Sequence, residues 1–354
     1  MKKLLSLLII AIAWTSSFAQ GAGPEEEEAP PPRHWTKTFS LGLSYHQVSL
    51  DNPLVGDGQN QVVGTAQLGF SANYDKGKIF WPSNINWNFG LLRIGAGPIE
   101  PGSSRKIPFQ KSVDQLQASS LVGYRISRDS TLSVFSGFEV FTQGLPAYVD
   151  AEGKLPGLFL SDIRNSDVNP IQSTFFAPAN VIADVVAIGF QPSSKLFIGY
   201  APAAYKGILV LNDAAARLVG KVNSEGLPTA TVHGNRVEIV DGEPVFKKSF
   251  NQLGSRLLAI YQDKYFKGVF GLNSRLNLFS NYLDNPQNID VYWQNRLDLN
   301  LIKGLSLSYH FELFYDHDVL VRISDKNAPG GFSGEFGRRV ALRRQLMLRY
   351  QIAF

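Results

Sequence analysis

The last fifteen residues alternate between apolar and polar with a single exception. Val340, Leu342, Leu346, Leu348, Tyr350, Ile352 and Phe354 fall on one face, and Ala341, Arg343, Gln345, Met347, Arg349, Gln351 and Ala353 on the other; Arg344 interrupts the apolar face. A β-strand turns successive side chains to opposite faces, so this segment reads as a strand with one apolar side. Apolar outside, polar inside and closed by an aromatic is the pattern of the final strand of an outer-membrane barrel, which must pair with the first. On that reading Tyr350, Ile352 and Phe354 form the insertion signal met by the barrel-assembly machinery.

The same period recurs from Thr38 onward. Phe39, Leu41, Leu43 and Tyr45 alternate with Ser40, Gly42, Ser44 and His46, and Ile85, Trp87, Phe89 and Leu91 with Asn84, Asn86, Asn88 and Gly90. Similar segments cover Ala66–Asp75, Asp114–Ile126, Leu132–Val140, Val181–Phe190, Leu196–Tyr200, Ser255–Asp263, Phe270–Leu278, Val291–Leu301 and Leu305–Leu313. With the last strand this makes about twelve, each near the roughly 9–11 residues that cross a bilayer at a tilt. Pro202 ends the seventh, because proline removes a ladder donor. The expected fold is an all-β, antiparallel, up-and-down transmembrane barrel over residues 38–354.

The connections sort by parity. Asp51–Gln61, Gly95–Lys111, Gly144–Ala177, Asp213–Lys248 and His317–Arg338 are long, with Leu283–Asn288 the shortest of that set, while Asp75–Lys78, Ser127–Asp129, Gln191–Ser194, Lys264–Gly268 and Lys303–Gly304 are tight. Outer-membrane barrels have short periplasmic turns and long extracellular loops, whereas a soluble sandwich has no reason to sort its loops this way. Phe39, Tyr74, Tyr124, Phe190, Tyr261, Tyr350 and Phe354 gather at the tight-turn ends, as an interfacial aromatic girdle does.

Composition agrees. Hydrophobic residues make up 44% and aromatics 12%, yet the mean hydropathy is −0.07, as suits strands that are apolar on one side only. Lys2 and Lys3, the apolar run Leu4–Trp14 and Ser17-Phe18-Ala19 read as a signal peptide over residues 1–19. Glu25–Glu28 and Pro30–Pro32 make residues 20–37 an extended periplasmic tether. The absence of cysteine excludes disulfides, thiolate metal sites and an acylated lipoprotein anchor. The net charge of +4 is spread along the chain rather than massed in a block, which excludes nucleic acid as a partner. The expected address is the outer membrane of a diderm bacterium, with the bilayer and lipopolysaccharide as surroundings.

Inward positions carry Arg125, Arg256, Arg275, Arg296, Arg343 and Arg349, with Glu139, Asp290, Asp298 and Glu312. Facing lipid, an arginine at the midplane costs about 2–4 kcal/mol, so these belong to the lumen. Rings of charge select ions, which gives a narrow, slightly anion-preferring, porin-like channel. Alternatively the charges pair, Arg125 with Glu139 and Arg296 with Glu312, and plug the lumen, leaving a surface or assembly component. Strand count leaves both open, since about twelve lies between filled eight-stranded barrels and open ones of roughly 16–18 strands.

Two long loops bear on the choice. Gly144–Ala177 holds Leu158, Phe159, Leu160, Phe175 and Phe176, apolar enough to enter the mouth or to bind a solute or protein partner. Thr229–Val232 and Arg236–Val240 read as a hairpin about His233-Gly234-Asn235. Catalytic and cofactor signals are thin. Asp316-His317-Asp318 is the one arrangement that suggests an outer-membrane lipid hydrolase, and a polar loop explains it as well. Gly56–Asn60 lacks the spaced carboxylates of a calcium loop.

The stretch Trp35–Tyr74, with Gln47-Val48-Ser49-Leu50-Asp51-Asn52 ahead of a glycine-rich turn and Asn60, resembles a known family, as do Phe109–Tyr124, Phe175–Pro178, and Tyr200-Ala201-Pro202 with Lys206. It is the Bacteroidota outer-membrane family catalogued as domain of unknown function 3078. Where that family has Asn-Trp and later Gly-Gly, this chain has Asn52-Pro53 and Gly56-Asp57-Gly58. The resemblance implies an outer-membrane location, with no established activity and no site residue to carry over.

Overall fold

The computed structural model describes residues 34–48, 61–95, 106–126, 131–150, 158–160, 171–302, 305–325, 327 and 332–353. The signal peptide, nearly all of the tether, the Gly56–Asn60 turn and Phe354 lie outside these residues, as do the side chains of Arg349, Tyr350 and Ile352.

Among the described residues the fold is carried by twelve antiparallel strands: β1 Trp35–Val48, β2 Gln61–Lys76, β3 Ile79–Ile94, β4 Gln110–Arg125, β5 Leu132–Thr142, β6 Ala179–Ser193, β7 Leu196–Leu209, β8 Ser249–Tyr265, β9 Phe270–Asn281, β10 Ile289–Ile302, β11 Leu305–Tyr315 and β12 Ala341–Ala353. Each pairs with its neighbours in chain order, β3 with β4 through Ile79↔Tyr124 to Leu92↔Gln110. β12 also pairs with β1, from Leu43↔Tyr350 to Ser40↔Ala353. At these four positions the first and last strands of the series are paired with each other.

Polarity is inverted relative to a water-soluble sheet protein. Leu43, Ile188 and Leu346 are 57%, 54% and 66% exposed, while Glu139, Arg256 and Asn277 are 1%, 4% and 4% exposed. Exposed apolar surface and buried charge are the informative exceptions to ordinary burial. They arise because the period-two pattern puts most strand leucines on the outside and the charged residues of the same strands on the inside.

The tight-turn end is ringed by aromatics. Trp35 packs at 5.2 Å from Tyr74 and 5.8 Å from Trp81, and Trp81 Nε1 donates to Ser120 Oγ at 2.7 Å. Tyr124 of β4 and Phe190 of β6 stand exposed on either side of β5. Between β2 and β3 the chain reverses within two residues, helped by Gly77 at φ +60°.

Three expectations change. β7 does not end at Pro202 but runs on to Leu209, because a bulge between Ala201 and Ala204 absorbs the proline and restores pairing with β8. Thr229–Val232 and Arg236–Val240 do not pair with each other. Pro228–Thr231 folds back on Val219–Val222, and Val237–Val240 pairs with Glu243–Phe246. In the 144–177 loop, the described parts extend the wall rather than enter the mouth. Phe159 pairs with Gln110 of β4 and is fully buried, while Phe175 and Phe176 are exposed.

At the long-loop end a second small core forms from Ile208, Val210, Ala215, Ala216 and Phe250, with Val319 packed on it. Asn235 Nδ2 donates to Ala216 O and Lys247 O at 2.9 and 2.8 Å. His233 Nε2 donates to Gln172 O at 2.9 Å, joining two loops. Burial holds the His233 imidazole below its ordinary value of 6.5, only partly offset by the Gln172 bond. A base resisted in the folded state loses stability as pH falls through its unfolded pKa, because the unfolded chain takes up the proton first. We therefore expect residues 210–248 to become more protease-sensitive between about pH 7.5 and about pH 5.5, and His233→Asn to abolish that dependence. Equal cleavage at both pH values in the native sequence would refute this.

Candidate functional site

The inward faces hold the chemistry. Alternation delivers Glu139 from β5, Asp184 from β6, Arg256 from β8, and Arg275 and Asn277 from β9 to one buried knot. Arg256 donates through Nη2 to Glu139 Oε2 at 2.5 Å, through Nη1 to Asp184 Oδ2 at 3.0 Å and through Nε to Asn277 Oδ1 at 2.8 Å. Arg275 Nη2 adds a bond to Glu139 Oε2 at 2.7 Å, and Gln117 Nε2 one to Glu139 Oε1 at 2.6 Å. β5 and β9 are four strands apart in the pairing order, so these bonds cut across the interior rather than along the wall.

A second network crosses further. Gln115 Nε2 of β4 donates to Tyr292 Oη of β10 at 2.8 Å. Those two strands are six apart whichever way the order of paired neighbours is followed. Gln294 also donates to Tyr292 Oη at 2.8 Å, Arg343 Nη1 reaches Gln115 Oε1 at 2.6 Å and Glu312 Oε2 at 3.3 Å, and the Phe141 ring meets Tyr292 edge-on at 5.0 Å.

Two cavities flank these networks. One of 740 Å³ extends toward the tight-turn end, reaching Asn73, Phe80 and Gln191. The other, of 300 Å³, lies toward the long loops among Phe141, Ile182, Phe279 and Phe314. Its polar corner is Lys206 of β7, whose Nζ donates to Asp290 Oδ2 at 2.6 Å and Asp316 Oδ2 at 2.5 Å. Asp316 belongs to the loop after β11, and its other oxygen accepts from Asp318 N at 2.8 Å.

Several sequence-derived lumen residues meet here. Glu139, Arg256, Arg275, Arg296 and Glu312 line the larger cavity. Their partners differ from those expected. Arg125 does not reach Glu139. It forms a two-pronged pair with Asp75 at 2.7 and 3.0 Å at the tight-turn rim, above the Phe80 ring. Arg296 does not pair with Glu312 but with Asp298, two residues along its own strand, at 2.9 Å, while Ser308 Oγ also donates to Asp298 at 2.6 Å. Each described arginine of the set thus has a carboxylate within 3.3 Å.

Alternation put Asn277 and Tyr292 on inward faces without singling them out, and the candidate list left out Asp184, Gln115, Lys206 and Asp316. Asp184 was signalled, being the one charge in Val181–Phe190. Lys206 was hidden by the bulge at Ala201/Ala204, which shifts the phase of alternation. Asp316 and Asp318 read as a hydrolase-like triplet with His317, but their carboxylates are engaged by Lys206 and Gln252.

Residues 45–148 match the family model described as Protein of unknown function (DUF3078). That region begins near the end of β1, contains β2 to β5 with the Phe109–Tyr124 stretch, and stops short of Phe175–Pro178 and Tyr200–Lys206. No curated protein matches the chain. Among solved structures, an outer membrane channel from Pseudomonas putida F1 is 12% identical, covering 94% of this chain and 100% of that one, with a TM-score of 0.35. The CymD monoaromatic hydrocarbon channel is 9% identical over 90% of this chain and 88% of that one, TM-score 0.33. The β domain of the Bordetella autotransporter BrkA is 9% identical over 91% and 98%, TM-score 0.28.

Proposed function

We propose that this chain, which carries the DUF3078 region over residues 45–148, is a twelve-stranded outer-membrane barrel whose lumen is closed by its own side chains. Residues 1–19 serve as export signal and 20–37 as periplasmic tether. The tight turns face the periplasm and the long loops the exterior. The inverted polarity supports the membrane setting, since lipid replaces water around the exposed leucines.

The Gln115–Tyr292 bond carries the functional reading. Two walls six strands apart are joined through the middle by one glutamine and one tyrosine. Arg343, Gln294 and Glu312 brace that bolt, and the Arg256 knot adds a second crossing beside it. Such a barrel resembles a porin in outline and acts as a sealed vestibule, with no catalytic or cofactor step.

Planar-bilayer recording tests this. The native protein is expected to insert without steady single-channel steps, and Gln115→Ala with Tyr292→Ala to give them, because removal of both side chains clears the crossing. Steady native conductance of porin size would overturn the reading. So would a double variant that is inserted, shows the heat-modifiable mobility of a folded barrel and stays silent.

A further inference from the structure

We propose that the 740 Å³ cavity binds a neutral polyhydroxylated solute, of the size of a mono- to trisaccharide, entering from the tight-turn end; this rests on the barrel reading above. The volume lies within the roughly 300–1,000 Å³ of small-molecule sites. Its wall decides the chemical class.

The charges on that wall cancel. Arg256, Arg275 and Arg296 are matched there by Glu139, Asp184 and Glu312. Arg256 and Arg275 are tied to Glu139, Arg256 also to Asp184, Arg296 to Asp298 and Glu312 to Arg343. An ionic solute would have to compete with an existing ion pair to be recognised. What remains for a solute is amide. Asn84, Asn86 and Asn88 step along β3 at alternate positions, so all three reach the cavity, and Gln262 and Asn273 line it from β8 and β9. A carboxamide both donates and accepts, as a sugar hydroxyl does. An apolar ligand would strip water from these groups and return nothing.

Two further observations point to an absent partner. Asp184 Oδ1 and Arg275 Nε are buried at the cavity wall without a hydrogen-bond partner in the protein. One is an acceptor and the other a donor, and neighbouring hydroxyls of one polyol can satisfy both. Phe80 and Phe197 add apolar lining to the same wall for the C–H side of a pyranose ring.

Isothermal titration of the full-length folded protein in nanodiscs with maltotriose tests the assignment, with gluconate and spermidine as charged controls. Saturable millimolar binding of maltotriose is expected, with neither control binding. Asn86→Leu with Asn273→Leu is expected to weaken it about tenfold while heat-modifiable mobility is kept. A folded barrel that shows no saturation, binds gluconate equally, or binds unchanged in the double variant overturns this inference and leaves the barrel reading intact. A protein without the heat-modifiable folded form overturns both.

Discussion

Glu139→Ala is expected to be the most destabilising single substitution in this chain. It removes the carboxylate that accepts from Arg256, Arg275 and Gln117, and leaves a guanidinium that is 4% exposed with Asp184 as its remaining anion. Removing one partner of a buried ion pair costs about 3–5 kcal/mol, because the remaining charge is desolvated without compensation. Arg256→Met should cost a similar amount, since it leaves Glu139 and Asp184 buried on neighbouring strands. The triple replacement Glu139→Leu, Asp184→Leu, Arg256→Met should recover most of the loss. Arg275, the least buried member, can turn toward the cavity. Urea unfolding of the protein in lipid vesicles measures all three. A single-variant loss below about 1 kcal/mol, or a triple variant worse than either single one, would refute the knot as a cooperative unit.

Lys206→Met should have the next largest effect, and a different character. Lys206 joins the wall to the loop layer, reaching Asp290 at the start of β10 and Asp316 beyond β11. The substitution leaves two carboxylates facing each other beside the Phe279 ring, without the lysine that both pair with among the described residues. The expected cost is again about 3–5 kcal/mol, but it should appear first as loop release. Residues 316–325 should be cleaved by protease well before the strands unfold. Asp290→Asn provides the contrast. It leaves the Lys206–Asp316 link in place and should leave loop protection nearly native. If Lys206→Met protects the loop as well as the native sequence does, the link between wall and loops is dispensable.

Both substitutions fall on contacts that the alternation pattern could only half reveal. It placed Glu139, Arg256, Arg275, Arg296 and Glu312 on the inward face, and all five line the cavity. It failed on their partners. Arg125 and Glu139 sit on adjacent strands, but Ser119, not Arg125, lies opposite Glu139 in the register. Arg125 lies six positions along the strand from Ser119, at the rim, where Asp75 is the nearer anion. Arg296 faces His310 in the register and turns along its own strand to Asp298. Lys206 was seen only as part of a family-like stretch, because Pro202 masked the strand that carries it. A bulge adds a residue to one strand, and no period-two count survives it.

The sequence alone therefore determined what is local: which segments are strands, which side of each is apolar, and which end has tight turns. Those features follow from side-chain direction, which repeats every two residues whatever the rest of the chain does. The tertiary structure decided everything that crosses the interior. The Glu139–Arg275 contact spans four strands and Gln115–Tyr292 spans six. Such pairs depend on the accumulated stagger of every intervening strand pair and on the bulges between them. A shift of one residue in any of those registers sends the partner to the opposite face. That is why the inward-facing residues were legible one by one, while the bonds that cross the interior and the amide-lined cavity beside them were not.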